Sequence, residues 1–368
     1  MLKKITFIIK SLKGGGAEKV LINLLKLLPK EINLELIVIF REGELLSQLP
    51  EGITVKYLIE PKNRVDRIIG YLKLIVLRKY IYSVIFQNSS GEILISFLEG
   101  WSDFFLHSIK DNNIKFSWLH SNSKLYSPIN PARVFFKLHA KKSKKVFCVS
   151  NGIERHLLKH RPIFEGKTEV CYNPIDFATI KEKSEKTVKL ERSQFNVLII
   201  ARLVPEKQID LLLKSFKEFC ELKPDSALIV LGDGPLRSEL EVMAFKLGIG
   251  ENVKFLGYVD NPYSYIRAAD VSCLTSKYEG LPTVVIESIY LNTPVITTRN
   301  GAEELIDLLG LGMVVDSNSS SVCKGLIEIF ESKFSGSIKL NRKMNDSEME
   351  NIFSIENVLS KLEYENAS

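Results

Sequence analysis

Asn196-Val197-Leu198-Ile199-Ile200-Ala201-Arg202-Leu203-Val204-Pro205-Glu206-Lys207 is the stretch that decides the fold. Val197 through Ala201 are apolar without interruption, so a strand there has no solvent-facing side. Strands buried on both faces belong to parallel sheets sandwiched between helices. Two cations follow at once, Arg202 where the strand ends and Lys207 where the next helix begins. Ligands of open parallel sheets sit beyond the carboxyl ends of the strands, so both cations stand where a ligand would be held.

The same alternation runs outward in both directions. In the first half, 5–9, 34–40, 53–58, 93–97, 115–120 and 146–150 read as strands. In the second half, 196–201, 227–231, 253–256, 271–274, 294–297 and 313–315 do. Helical periodicity fills the gaps, which makes βαβ units. Two such series predict two doubly wound α/β domains, 1–177 and 178–347, joined through the polar, Lys/Glu-rich segment 173–196. Beyond the last strand, 347–364 has a helical pattern (Ile352, Ile355, Val358, Leu359, Leu362) and must pack on something else.

With 368 residues, 45% of them hydrophobic and 26% charged, the chain has the make-up of a soluble globular protein. The apolar run 5–9 is too short for a signal peptide, and no stretch approaches the ~18 apolar residues of a membrane span. Cys148, Cys171, Cys220, Cys273 and Cys323 lie far apart, mostly in apolar runs, as buried thiols of a reducing compartment do. A cytoplasmic protein is expected. The net charge of +6 is unevenly spread: residues 1–180 hold 28 Lys/Arg against 16 Asp/Glu, the remainder 22 against 28. The basic half is suited to an anionic ligand or surface. Nucleic acid is not expected, because zinc-finger spacing, a helix-turn-helix signal and an aromatic-basic stripe are all missing from the sequence.

Several motifs fall at strand ends. Glu279-Gly280-Leu281-Pro282-Thr283-Val284-Val285-Ile286-Glu287 reads as a carboxylate, a helix start with Pro282 at the first helical position, and a second carboxylate. The unpaired N–H groups and the dipole of such a helix end can hold phosphate, and a carboxylate like Glu287 can accept from both hydroxyls of a ribose. By spacing alone the segment equally fits two solvated glutamates beside a buried helix. Gly14-Gly15-Gly16-Ala17-Glu18 follows the first strand, and Gly232-Asp233-Gly234-Pro235 another; each is a tight turn that lets backbone approach a ligand. His120 ends the strand at 115–120, where a catalytic and a structural histidine are equally in keeping, whereas His107, His139, His156 and His160 look incidental. No Asp-x-Asp occurs and no histidine pair has metal-ligand spacing with a carboxylate, so no metal and no cofactor is expected. Segment 64–82 reads as a helix whose Arg64, Arg67 and Arg78 share one arc. It would suit an anionic bilayer, or a core helix with a solvated stripe. A second basic stretch, 133–145, adds to the membrane reading.

Together these motifs resemble the family 4 retaining glycosyltransferases, which have the GT-B architecture of two facing Rossmann-like domains. The matching residues are Gly14 to Glu18, Ala201 to Lys207, Leu231 to Pro235, Phe255-Leu256-Gly257, Ala268-Ala269-Asp270, Tyr278 through Glu287, and Asn292 to Ile296. The match is specific in the second domain and loose in the first. The sequence departs from the usual pattern at Ala201 and Pro205. The resemblance implies that Arg202 and Lys207 grip a donor diphosphate, that Glu287 binds the ribose, and that Glu279 meets the transferred sugar. It implies that the backbone of Gly280, Leu281, Pro282 and Thr283 holds phosphate, that Gly15 and Gly16 close over the donor, and that His120 lies near the reacting centre. The tail 348–368 would cross back to the first domain.

The expectation is therefore a metal-independent, retaining hexosyltransferase, peripheral on the inner face of the cell membrane. Its donor would be a nucleotide-diphosphate sugar, UDP first, and its acceptor a lipid-linked glycan of surface polysaccharide assembly. The alternatives are a sugar-nucleotide epimerase of the same architecture and a non-catalytic nucleotide-sugar-binding protein.

Overall fold

The computed structural model describes residues 4–87, 89–108, 110–121, 142–188, 190, 195–335 and 341–364. The chain divides into two compact units, Met1–Ile175 with Phe353–Ser368, and Asp176–Ile352.

The first unit is built on a parallel sheet of β1 (Ile5–Ile9), β2 (Leu34–Phe40), β3 (Thr54–Ile59), β4 (Ile93–Phe97), β5 (Ile114–Leu119), β6 (Lys145–Cys148) and β7 (Thr168–Val170). The strand order is β3-β2-β1-β4-β5-β6-β7. Every residue of β1, β2 and β4 is buried, as their largely apolar character requires, with Thr6 and Ser96 as small polar residues among them. Glu35 is the exception inside β2, and it is matched on both sides by Lys4 at 2.6 Å and Lys56 at 2.8 Å. The helices of this unit are α1 (Gly16–Leu27), α2 (Arg64–Ile85), α3 (Trp101–Leu106) and α4 (Asn151–His160). The short edge strand β7 escapes a reading by periodicity, because three half-buried residues give no pattern.

The second unit holds α5 (Phe177–Ser184) and the parallel strands β8 (Phe195–Ile200), β9 (Ser226–Leu231), β10 (Val253–Gly257), β11 (Val271–Leu274), β12 (Val295–Thr298) and β13 (Gly312–Val315), in the order β10-β9-β8-β11-β12-β13. Its further helices are α6 (Ile209–Leu222), α7 (Arg237–Lys246), α8 (Tyr263–Ala268), α9 (Thr283–Tyr290), α10 (Glu303–Leu309), α11 (Ser319–Ser335) and α12 (Asp346–Ile352). Helix α6 buries Leu212, Leu213, Phe216 and Phe219 in the core. At about 1.5–3 kcal/mol for each such side chain, that stripe holds the helix in place. Its exposed pairs Lys214–Asp210 and Lys217–Glu221 are screened by water and add little.

Each sheet reverses its winding between its first and fourth strands, β1/β4 and β8/β11, and the loops at those carboxyl ends are where such folds bind ligands. The 347–364 pattern is two helices, not one. Helix α12 stays with the second unit, where Tyr290 donates to Glu350 at 2.8 Å and Arg342 pairs with Asp346 at 2.7 Å. Ser354 then caps a new helix, α13 (Ile355–Tyr364), accepting from the Asn357 amide at 2.9 Å. Helix α13 belongs to the first unit: Lys361 pairs with Glu169 at 2.7 Å and the Ile175 amide donates to the Phe353 carbonyl at 2.9 Å. The units therefore meet at 175/176 and 352/353, not at 177/178 and 347/348.

Candidate active site

In the second unit the loops after β8, β11 and β12 are tied together. The Thr275 hydroxyl donates to the carbonyls of Lys207 and Gln208, both at 3.1 Å. That bond supports a left-handed Gln208 (φ 47°), a conformation costing about 1 kcal/mol outside glycine. The Lys277 amide donates to the Glu206 carbonyl at 2.8 Å. This frame delivers Lys207 Nζ to Glu279 Oε1 at 2.6 Å, in a pair whose side chains are only 23% and 13% exposed. Glu279 is fixed from behind as well, its amide donating to the Asn300 carbonyl at 2.7 Å. Gly301 (φ 107°) lets that loop close in, since a Cβ there would lie 2.8 Å from the Glu279 carbonyl oxygen. The Glu303 carboxylate accepts from the amides of Asn300 and Gly301 and locks the turn.

Lys207 carries three donors and spends one on Glu279, so its ammonium can serve an anion and a carboxylate together. Arg202 is exposed just past β8, and among the described residues its guanidinium has no ion-pair partner. Gly232 (φ 124°) lets the β9 loop press against the Ala201 carbonyl, a place where a Cβ would collide.

Helix α9 begins at Thr283, with Pro282 as its cap in extended geometry (φ −77°, ψ 102°). Pro282 thus stands one residue outside the position expected from the sequence. Proline supplies no side-chain cap; the Val285 amide donates to the Pro282 carbonyl at 3.1 Å, which leaves the Thr283 and Val284 amides without a partner inside the helix. Leu281 and Gly280 lead into this turn, and Glu287 lies half-buried in the second turn. Burial pushes the Tyr263 hydroxyl well above its ordinary range, and the charges of Glu287 and Asp176 push the same way.

In the first unit, Gly15 and Gly16 open α1 after Gly14 (φ 95°). The Gly15 amide is committed to the Glu18 carboxylate, which caps the helix from within the chain. His120 lies one residue past β5, 7% exposed, its ring 4.3 Å from that of Phe97. Burial pushes its imidazole down to about 3, so it is neutral at any working pH. Its Nε2 has no partner among the described residues. The Glu99 carboxylate accepts from the His120 amide at 3.2 Å and from the Ser121 hydroxyl at 2.6 Å. Below it, the fully buried Asp103 accepts from Ser117 at 2.5 Å and from the Gly100 amide at 3.0 Å. Burial raises the Asp103 carboxyl to about 7 against the pull of those bonds. Among the described residues no three His, Cys, Asp or Glu side chains gather as metal ligands.

The chain belongs to the group 1 glycosyltransferases. The family itself matches residues 180–347, the unit that holds Lys207, Glu279 and Glu287. A Campylobacter jejuni relative is 30% identical over 83% of this chain and 82% of its own length. It is the GalNAc-alpha-(1->4)-GalNAc-alpha-(1->3)-diNAcBac-PP-undecaprenol alpha-1,4-N-acetyl-D-galactosaminyltransferase. A second transferase of that organism is the N-acetylgalactosamine-N,N'-diacetylbacillosaminyl-diphospho-undecaprenol 4-alpha-N-acetylgalactosaminyltransferase. It is 28% identical over 90% of this chain and 91% of its own. Among solved structures, Anabaena HepE in complex with UDP is 17% identical and covers 99% of each chain with a TM-score of 0.72, which shows a shared fold. The relatives named are transferases, which does not favour the epimerase reading.

The glycosyltransferase departs from the sequence reading on its second helix. Arg67 is paired with Glu42 at 2.6 Å, and Arg78 lies over the Phe104 ring at 4.3 Å while donating to the Ile75 carbonyl. Arg64 is exposed, while Arg67 and Arg78 are half-buried and engaged within the fold. Of the basic stretch 133–145, residues 133–141, with His139, lie outside the described residues. The functional residues that the sequence reading missed are Thr275, Asn300, Glu303 and Glu99. Asn300-Gly301 after a strand, with Glu303 three residues on, was a readable turn and cap signal. Glu99 carried none.

Proposed function

We propose that this glycosyltransferase moves a hexose or N-acetylhexosamine from a UDP-sugar to a lipid-linked glycan, with retention of configuration, at the inner face of the cell membrane during surface-glycan assembly. The observation that carries the proposal is the Lys207–Glu279 pair held next to the α9 N-terminus at the carboxyl ends of β8 and β11. The diphosphate would settle on the α9 amides, with Arg202 and Lys207 on its oxygens and Glu287 on the ribose. Glu279 would face the sugar. Breaking the bond from the anomeric carbon to the phosphate oxygen leaves the electron pair on UDP. Cations and amides aimed at that charge stabilise the transition state more than the bound donor. The acceptor hydroxyl attacks the face that UDP leaves and passes its proton to the departing phosphate oxygen. Neutral His120 would offer a hydrogen bond near the sugar, not a charge. Positive charge from the protein serves where other transferases use a divalent cation, and no cofactor is needed.

The lipid-linked acceptor is supported by the two Campylobacter relatives, whose names specify undecaprenol-linked substrates. Bilayer contact is supported by α2. Val65, Ile68, Leu72, Val76 and Tyr80 are 53–75% exposed. At 100° per residue they share an arc of about 120°. Exposed Arg64 and Lys73 flank them and exposed Lys79 lies within the arc, cations that suit an anionic membrane surface. No helix among the described residues is long and apolar enough to cross a membrane.

A thermal-shift screen with UDP, GDP and their sugars tests the donor. Stabilisation by UDP-sugars is expected, and a response to none of them contradicts the reading. Flotation with anionic vesicles tests the surface. Binding that Leu72→Glu with Val76→Glu abolishes is expected, and no flotation of the unaltered protein at low salt removes the membrane contact.

A further inference from the structure

The turn that follows β4 is built at some cost. Leu98 has φ 80° and Gly100 φ 114°, and only the second is a glycine. A branched side chain in the left-handed region is strained, and it persists only where its surroundings hold it. Here they do. Ser96 Oγ donates to the Leu98 carbonyl at 3.3 Å, and the Gly100 amide donates to buried Asp103 at 3.0 Å. Asp103 is fixed in turn by Ser117 on β5, whose hydroxyl lies 2.7 Å from that of Ser143. Between those two anchored residues stands Glu99. Its two oxygens divide their work: Oε2 takes the His120 amide and Oε1 takes the Ser121 hydroxyl. Both are the first residues beyond the carboxyl end of β5. The strain therefore sets one carboxylate across the exit of the neighbouring strand, at the place where His120 leaves the sheet.

His120 needs such a fixture. Its ring packs against Phe97 at 4.3 Å and Trp118 at 5.9 Å, which limits tilt, but Phe97 has no hydrogen-bonding group and the Trp118 Nε1 makes no bond among the described residues. Nε2 has no partner among the described residues, so no side-chain bond at that atom sets the ring's orientation. The backbone on either side must do so. We propose that Glu99 is a positioning residue, which acts through His120 by clamping the His120 amide and the Ser121 hydroxyl so that the imidazole keeps one orientation for the donor sugar. This rests on the role proposed above for His120.

The test is a double-variant cycle on the full chain, following UDP release from UDP-N-acetylgalactosamine with an undecaprenyl-diphosphate-linked N-acetylgalactosamine acceptor. Glu99→Ala is expected to lower kcat by about tenfold or more with the donor KM little changed, since a misplaced group loses rate before affinity. Glu99→Gln keeps one acceptor oxygen and recovers part of the loss. Adding Glu99→Ala to His120→Ala changes nothing further, because residues acting as one unit do not add. Fully additive losses, or an unimpaired Glu99→Ala, would overturn the proposal and leave the role of His120 standing. An unimpaired His120→Ala would overturn both. A second readout needs no turnover: in a ¹⁵N spectrum of the histidine rings, the Nδ1 and Nε2 signals of His120 should broaden or split in Glu99→Ala and stay sharp in Glu99→Gln. Sharp, unshifted His120 signals in Glu99→Ala contradict the clamp.

Discussion

The two sheets repeat one winding, yet the segments at their carboxyl ends are furnished differently. In the Asp176–Ile352 unit the loops carry charge, with Lys207 and Glu279 paired and still partly hydrated, Arg202 exposed and an amide-rich helix end beside them. In the Met1–Ile175 unit a neutral imidazole stands just past β5 and the helix after β4 holds a carboxyl that burial favours protonated, while the Glu99 carboxylate between them is taken up by the His120 amide and the Ser121 hydroxyl. A charge that must pass from a carboxylate to a phosphate has to keep some contact with water, because full desolvation would cost more than the pair returns. A neutral donor or acceptor for a sugar hydroxyl can be buried deeply at little electrostatic cost, provided its geometry is fixed. The difference teaches that one fold supplies both environments through its loops, with the strands unchanged.

The largest effect should come from breaking the charged side. Lys207→Ala combined with Arg202→Ala should reduce turnover by on the order of 10³-fold, measured as UDP release with saturating donor. An active double variant would show that the charged loops are not the diphosphate site. Gly301→Ala should come next. It forces a Cβ towards the Glu279 carbonyl at a left-handed position, so it should cost roughly 1–3 kcal/mol in denaturant unfolding and lower activity with it. An unchanged midpoint would mean the loop has slack that its hydrogen bonds do not reveal.

On the neutral side the effects are smaller. His120→Ala should lower kcat by about 10–100-fold. Because burial holds the imidazole at about 3, the pH–rate profile of the unaltered enzyme should show no His120 ionisation from pH 5 to 8. A limb that disappears in His120→Ala would contradict a neutral ring. Asp103 gives the mildest signature. An acid that binds its proton more tightly in the fold than in the open chain favours the fold at low pH. Its contribution is complete below its unfolded value near about 4 and is lost as pH rises to about 7. Thermal melts of Asp103→Asn should therefore show a flatter stability profile across that window, and a profile parallel to the unaltered protein would contradict the assignment.

The sequence made the strands legible because burial on both faces leaves an unbroken apolar run, and β1, β2, β4 and β11 fall on the residues so read. The other strands read from the sequence differ from the structure by a position or two at an end, since nothing local marks where pairing stops. Two helices in 347–364 looked like one because both stripes are apolar at the same spacing; the Ser354 cap and the packing of Tyr290 on Glu350 divide them. The charged loops could be read because Arg202, Lys207, Glu279 and Glu287 sit at strand ends and helix starts that are visible locally. The fates of Arg67 and Arg78 could not, for one depends on Glu42 and the other on Phe104, partners brought near only by the fold. Glu99 was invisible for the same reason: its partners, His120 and Ser121, lie just beyond the end of the neighbouring strand β5.

A calorimetric titration of UDP into the unaltered protein and into Lys207→Ala bears on the charged loop without any need for an acceptor. Loss of a charge-assisted bond to the diphosphate should weaken UDP binding by at least about tenfold. Equal affinity in the two proteins would mean that the pyrophosphate is held elsewhere and that the Lys207–Glu279 pair is only structural.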